Sequence, residues 1–294
     1  MDKVTHRERV TKSITTENAN SADLTIFNRK NPFDYVWYLL LVIITALFYE
    51  GVVDNSRWQW KTVAEYMFSA RVIEGLCNTL ILALCASVLG LVLGVIIAAC
   101  RMSTNRALRG IAYVYIWFIR AIPTLAMLLF LFFISALIPK LHLWVPFTDV
   151  ELFSISTNHL ISRFSAAMIG LAIYLGGHSA EIFRSGITAV EKGQREACKA
   201  MGMSDFYMMW HVVVPQAIRV IIPPLANELI TMFKNTSLAS VIGYIELLTT
   251  VQLIYSNNFE TIPLLTVACI WYLIVTSVAM IGQAFLEYRF KRGS

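Results

Sequence analysis

The sequence predicts an all-α integral membrane protein with about six transmembrane helices, and three observations predict it. First, 57% of the 294 residues are hydrophobic and only 15% are charged, whereas soluble domains carry about 25% charged residues. Second, apolar runs recur at 33–49, 76–100, 111–138, 164–184, 217–234 and 262–287. A helix needs about 20 apolar residues to cross a bilayer core. Third, the cations are unevenly placed. Six spans put both ends on one side. If that side is cytoplasmic, 17 of the 24 Lys and Arg residues lie inside, in 1–30, 101–109, 184–219 and after 287. Six lie outside, and Arg120 falls within a span. Cytoplasmic loops are enriched in Lys and Arg, so the orientation expected is N-in, C-in. The net charge of +5 reads as topology rather than as affinity for nucleic acid.

Taken in order, residues 1–30 are a polar, mixed-charge cytoplasmic tail with too little apolar surface to fold alone. Residues 31–70 hold an extra N-terminal span and a segment on the outer membrane surface. Tyr35, Trp37 and Tyr38 suit the interface at one end of that span. The run at 76–100 carries Gly90 and Gly94, a G-x-x-x-G that lets helices approach closely. The third run contains Arg120 and Pro123, both anomalous in lipid, and Pro123 marks a helix break. Residues 139–162 read as a polar loop. The fourth span ends in Gly176-Gly177-His178-Ser179-Ala180-Glu181, and the fifth carries Pro223-Pro224, a second break. Residues 236–260 are semi-polar and partly re-entrant, and the last span ends at Arg289, Lys291 and Arg292. The five cysteines are scattered without metal or disulfide spacing.

Between the fourth and fifth spans lies a polar island, about 190–215. Gly202 interrupts a first short helix, and Ser204 can N-cap a second, with Asp205 in its first turn. Phe206, Met209, Trp210 and Val213 fall at i, i+3, i+4 and i+7, giving that helix one apolar face. Pro215 calls for a bend. Two readings fit this pattern: a helix lying on the membrane surface, or a compact knob shaped for a partner's groove.

Glu196-Ala197-Cys198, three residues, Gly202, then Val212-Val213-Val214-Pro215 resembles the EAA loop of ABC importer permeases. Gly193-Gln194-Arg195-Glu196-Ala197, Pro215-Gln216-Ala217-Ile218-Arg219, Ile222-Pro223-Pro224-Leu225, Lys234-Asn235-Thr236-Ser237-Leu238-Ala239 and Glu181-Ile182-Phe183-Arg184-Ser185-Gly186-Ile187 resemble its polar-amino-acid branch. The resemblance covers roughly 71–290, a five-helix importer core to which the first 70 residues add a helix. It implies a multi-pass permease of the bacterial cytoplasmic membrane. The implied partners are ATPase subunits that bind ATP and Mg, a second permease chain and an extracytoplasmic binding protein. The loop would be the coupling helix, with Gly193, Arg195, Glu196, Ala197 and Gly202 at the ATPase surface.

Candidates for the substrate path are intramembrane polar residues, since a charge in lipid costs roughly 2.5–3.5 kcal/mol or more unless paired or wet. His178 and Glu181 share a helix face, and so do Glu181 and Arg184. Either Glu181 pairs with Arg184 near the inner interface, or His178 and Glu181 face a wet cavity and meet an amino-acid zwitterion. Asn227, Glu228 and Thr231 form a polar face beyond the double proline. The resemblance adds Lys234, Asn235, Thr236 and Ser237 near an outer gate, where the family more often has Asp at the position of Asn235. The chain has no P-loop motif, no His-Glu-x-x-His and no Gly-x-Ser-x-Gly, so it is read as a transport subunit rather than an enzyme, with no metal site. The rival reading is an ion-gradient-driven secondary transporter of amino acids, which accounts for the intramembrane charges but leaves the knob without a purpose.

Overall fold

A computed structural model describes residues 32–53, 55–138, 140–144, 151–156 and 161–291. The tail at 1–30, Pro139, Pro146 and Arg292 lie outside the described residues. The chain divides into two compact units, Met1–Ser56 and Arg57–Ser294. In the first, helix α1 (Pro32–Val53) is apolar on every side, and its described side chains from Tyr35 to Tyr49 are exposed. A helix of that pattern belongs in lipid rather than in a water-facing core.

The second unit begins within a 3-10 turn (Ser56–Trp58) and continues into α2 (Trp60–Met67), where the Trp58 and Trp60 rings stack at 5.6 Å. Helix α3 (Ala70–Met102) follows, long enough to cross a membrane. Asn105 N-caps α4 (Arg106–Ala121), its side chain accepting from Ala107 N at 2.9 Å. The expected single span at 111–138 is in fact two helices. Helix α4 stops at Ala121, α5 (Thr124–Leu137) starts after Pro123, and the two are bent by 107°. The physical reason is the proline, which lacks the N–H the ladder needs and disfavours helical backbone in the residue before it. Counting the bent pair as one, there are six candidate spans among the described residues, as expected.

The expected loop at 139–162 contains an antiparallel hairpin, β1 (Lys140–Trp144) with β2 (Glu151–Ser156), in register from Lys140↔Ser156 to Leu143↔Phe153. Helix α6 (Arg163–Thr188) is the hub and packs against α3, α4, α5 and α9 (Val214–Asn235). Small residues make this possible. A Cβ on Gly90 would lie 2.7 Å from Leu175 Cβ, and one on Gly94 would lie 2.0 Å from Ser179 Oγ. Helix α6 answers with Gly176 against Leu93 and Tyr115, Gly177 against Ile119, and Gly186 against Ile221. Lipid supplies no hydrophobic drive between helices, so such close approach is what holds them together. Around these contacts Leu82, Leu128, Leu171, Leu175 and Met232 are fully buried.

Pro223 and Pro224 do not break α9, contrary to expectation, for the helix runs unbroken from Val214 to Asn235. Proline's φ is compatible with a helix, and the bonds it removes can be tolerated where neighbours pack. Here α11 (Thr261–Lys291) packs alongside, with Gln283 Nε2 donating to Pro223 O at 3.5 Å, although the carbonyls the prolines leave without a helical donor are those of Arg219 and Val220. The segment at 236–260 is a 3-10 turn (Thr236–Ile242) and α10 (Leu247–Asn258), joined through Gly243 at φ 72°. Glu246 N-caps α10 while fully buried. It accepts from Thr249 N at 2.7 Å, Leu248 N at 2.9 Å and the Tyr272 hydroxyl at 2.9 Å. Burial pushes its carboxyl above the usual range, against the pull of those bonds.

Candidate functional site

Two regions carry the predicted residues. The first is the knob between α6 and α9. It consists of α7 (Lys192–Ala200), a turn at Gly202, α8 (Asp205–Met208) and a π-helical turn (Met209–Val213) leading into α9. Gly202 has φ 73°, and nothing lies within 4 Å of where its Cβ would be. The demand for glycine is therefore one of backbone conformation, not of space. Ser204 Oγ accepts from Tyr207 N at 3.3 Å and caps α8. The expected bend at Pro215 is not seen at the proline itself, which lies near the start of α9 in a helix running on from α8. The irregularity falls just before it, in the π turn, where Val214 N donates to Met209 O.

The π turn splits the predicted apolar face: Val213 is buried and Met209 half-buried, whereas Phe206 is 74% and Trp210 56% exposed, and Met208, outside that face, is buried in its place. Inside, Val190, Cys198, Met208, Val213, Ala217 and Ile221 form one cluster against Ile182, Phe183 and Ile187 of α6. That cluster fastens the knob to both flanking spans. The Arg195 guanidinium donates to Ile187 O, and its Nε is buried without a partner among the described residues. Gly193, Glu196 and Ala197 are exposed on the outer surface of α7. The knob thus presents aromatic and charged groups outward on a rigidly held base.

The second region is the intramembrane polar set, which the structure divides in two. His178 and Glu181 share a helix but not an environment. His178 Nδ1 lies 3.3 Å from Glu228 Oε1 across the α6–α9 interface, and its ring packs against Tyr174 at 4.4 Å between centroids, tilted by 32°. Glu228 Oε2 is buried and accepts nothing from the described residues. Asn235 and Glu228 both lie in the surroundings of the Tyr174 hydroxyl. Glu181 instead takes a two-pronged bond from Arg184, Nε at 3.0 Å and Nη2 at 2.5 Å. Asn227 and Lys234 are exposed on α9. The Thr231, Thr236 and Ser237 hydroxyls donate to backbone carbonyls of their own turns, and Thr236 is fully buried. Tyr174 belongs to this cluster and sequence reasoning missed it. Its spacing of four from His178 was the available signal.

A family model described as "binding-protein-dependent transport system inner membrane component" matches residues 90–292. An arginine transport system permease protein of Corynebacterium glutamicum is 39% identical over 90% of this chain and 82% of its own length. A probable amino-acid ABC transporter permease protein of Bacillus subtilis is 32% identical over 81% of this chain and 98% of its own. Among solved structures, an amino acid ABC transporter with histidines superposes at TM-score 0.65 with 31% identity, over 77% of this chain and 97% of that one. The methionine ABC transporter in inward-facing form, at 18% identity and TM-score 0.54, shares the fold. With six candidate spans, a knob between the fourth and fifth of them, and a family model matching 203 residues, the chain belongs to the inner-membrane permease components of binding-protein-dependent ABC importers.

Proposed function

We propose that this permease moves polar amino acids inward, with both termini cytoplasmic and the knob docked on an ATPase subunit. The observation that carries the reading is the knob itself. Phe206 and Trp210 stand exposed on a base that the Val190–Cys198–Met208–Val213 cluster ties to α6 and α9. Those two helices hold the His178–Glu228 contact. A push on the knob is therefore transmitted to the residues best suited to meet a zwitterion. Glu228 offers a carboxylate to an ammonium or guanidinium group, and His178 and Tyr174 offer donors and a ring face.

In this reading ATP and Mg bind only in the partner ATPase. Gly193, Glu196 and Ala197 form its docking surface, Arg195, expected there, instead braces the base of the knob through Ile187 O, and Gly202 sets the angle between the two knob helices. A second permease chain completes the path, and an extracytoplasmic binding protein delivers substrate. Relatives named for arginine and for glutamine transport support the amino-acid class. An ion-gradient-driven transporter would use the same intramembrane charges but has no use for exposed aromatics on a braced cytoplasmic knob.

The test is a mild-detergent purification of the tagged chain from its native membrane, with mass spectrometry of what accompanies it. Co-purification of an ATPase subunit, lost in a Phe206→Asp/Trp210→Asp variant, is the expected result. Recovery of the chain alone, under conditions that keep a known importer intact, overturns the docking role.

A further inference from the structure

At the end of α3 and α6 nearest the knob, a cleft of about 400 Å³ opens between α3, α4 and α6, and Arg101, Arg120, Arg184 and Glu181 line it beside Tyr113 and Trp117. A second cleft of about 430 Å³ shares Arg101 and Arg184 and adds Arg109 and Arg195. Five arginines thus face two adjoining clefts whose linings contain one carboxylate, Glu181. That carboxylate is taken by Arg184. Arg101 leans over the Tyr113 ring at 5.1 Å. Neither Arg101 nor Arg120 has a carboxylate within ion-pair distance among the described residues.

The helix carrying Arg120 is built for an interface. On α4, Ala112, Ile116 and Ile119 are buried against the protein, while Ile111, Val114 and Phe118 form an exposed apolar face. Between these two faces runs an exposed edge of Arg106, Arg109, Tyr113, Trp117 and Arg120, which recur at helical spacing. The 107° bend turns this helix sharply away from α5. With α5 directed through the bilayer, α4 is turned towards the membrane plane. Cations and aromatic rings along one edge, with an apolar face beside them, are the pattern of a helix seated among headgroups.

We propose that the cleft between α3, α4 and α6 holds the phosphate headgroup of an anionic phospholipid from the cytoplasmic leaflet, bound by Arg101 and Arg120 with Trp117 at the acyl boundary. The proposal rests on the cytoplasmic orientation given above for the knob. Guanidinium groups match phosphate oxygens in geometry and charge, and basic pockets between transmembrane helices on the cytoplasmic side bind such headgroups. The same cluster repels a cationic substrate, which separates this site from the His178–Glu228 path. Because Arg184 lines both clefts and Arg195 bonds Ile187 O at the base of the knob, a lipid there would brace the joint between spans and knob.

The test uses the assembled transporter, stripped of lipid in detergent and titrated with phosphatidylglycerol or phosphatidylcholine while bound lipid is counted by native mass spectrometry. Phosphatidylglycerol is expected to be retained in preference. Arg101→Gln/Arg120→Gln should weaken that retention roughly tenfold or more, and Lys61→Gln, on α2 and outside both linings, should behave as wild type. A measurement that needs no arginine variant accompanies it: brominated phosphatidylglycerol should quench an emission component that is missing in Trp117→Phe. Equal retention by wild type and double variant, equal retention of the two lipids, or absence of Trp117 quenching overturns the site. Displacement of the lipid by millimolar inorganic phosphate would make this a free-anion site and overturn the lipid assignment. Failure of the importer reading shows separately, as absence of ATP-driven uptake by wild type in any lipid.

Discussion

His178 Nδ1 and Glu228 Oε1 lie 3.3 Å apart, 50 residues apart in sequence, and link α6 to α9 inside the membrane region. Glu228 Oε2 stays buried with nothing from the described residues bonded to it, so the pair has acceptor capacity to spare. A half-buried carboxylate with one oxygen so placed is costly unless it meets a cation. Glu228→Gln is expected to cut uptake at least tenfold, and His178→Ala to raise the apparent KM, with assembly unchanged. Radiolabelled amino-acid uptake in reconstituted vesicles reads both. Uptake by Glu228→Gln within twofold of wild type would remove the residue from the path.

The Gly94–Ser179 contact gives a prediction for packing. A Cβ at Gly94 would lie 2.0 Å from Ser179 Oγ, so Gly94→Ala forces α3 from α6. Overpacking of this kind costs about 1–3 kcal/mol. Gly94→Ala should lower the apparent Tm of the detergent-solubilised protein, and Gly94→Ala/Ser179→Gly should recover most of the loss. No recovery in the double variant would place the cost elsewhere.

Gly202 separates backbone strain from crowding, because its φ is 73° while the space around it is open. Gly202→Ala should cost about 1–2 kcal/mol, the ordinary left-handed penalty, and leave transport mostly intact. Gly202→Asp adds charge at the docking surface. It should insert normally, as judged by membrane yield, yet lose ATP-coupled uptake. Normal uptake by the aspartate variant would count against docking through this turn.

Glu246 gives a pH prediction. Burial disfavours its charged form, so its carboxyl holds a proton more tightly folded than unfolded. Its stabilising contribution is then full below the ordinary carboxylate pKa and declines as pH rises through the raised value. Apparent Tm should fall across that window in wild type, and Glu246→Gln should flatten the fall. An unchanged slope in the variant would assign the pH dependence to another group.

Much of the fold was legible because the bilayer leaves few choices: apolar runs of span length had to become helices, and Gly202 and Ser204 announced a helical turn. The turn at Gly202 and the cap at Ser204 appear as read. What the sequence could not supply was partners. Gly90 and Gly94 were readable as a close-packing motif, but Leu175 and Ser179 opposite them were not. His178 was readable as anomalous, and its neighbour Glu181 drew the eye because it shares a helix face. The contact that forms is with Glu228, since α9 packs on that side of α6 while Arg184 takes Glu181. Proline alone did not decide backbone path either. Pro123 ends a helix, whereas Pro223 and Pro224 sit inside one. The hairpin within 140–156 did leave a trace, an apolar–polar alternation at Leu141, His142 and Leu143 that the polar flanks outweighed.

The most direct test of the central claim is substrate uptake into proteoliposomes that contain the assembled transporter and its binding protein, with the ion gradients collapsed by ionophores. Uptake that requires ATP on the knob side, and survives loss of every gradient, is the predicted result. Uptake that persists without ATP and stops when the gradients collapse would contradict the account and return the chain to the ion-driven class.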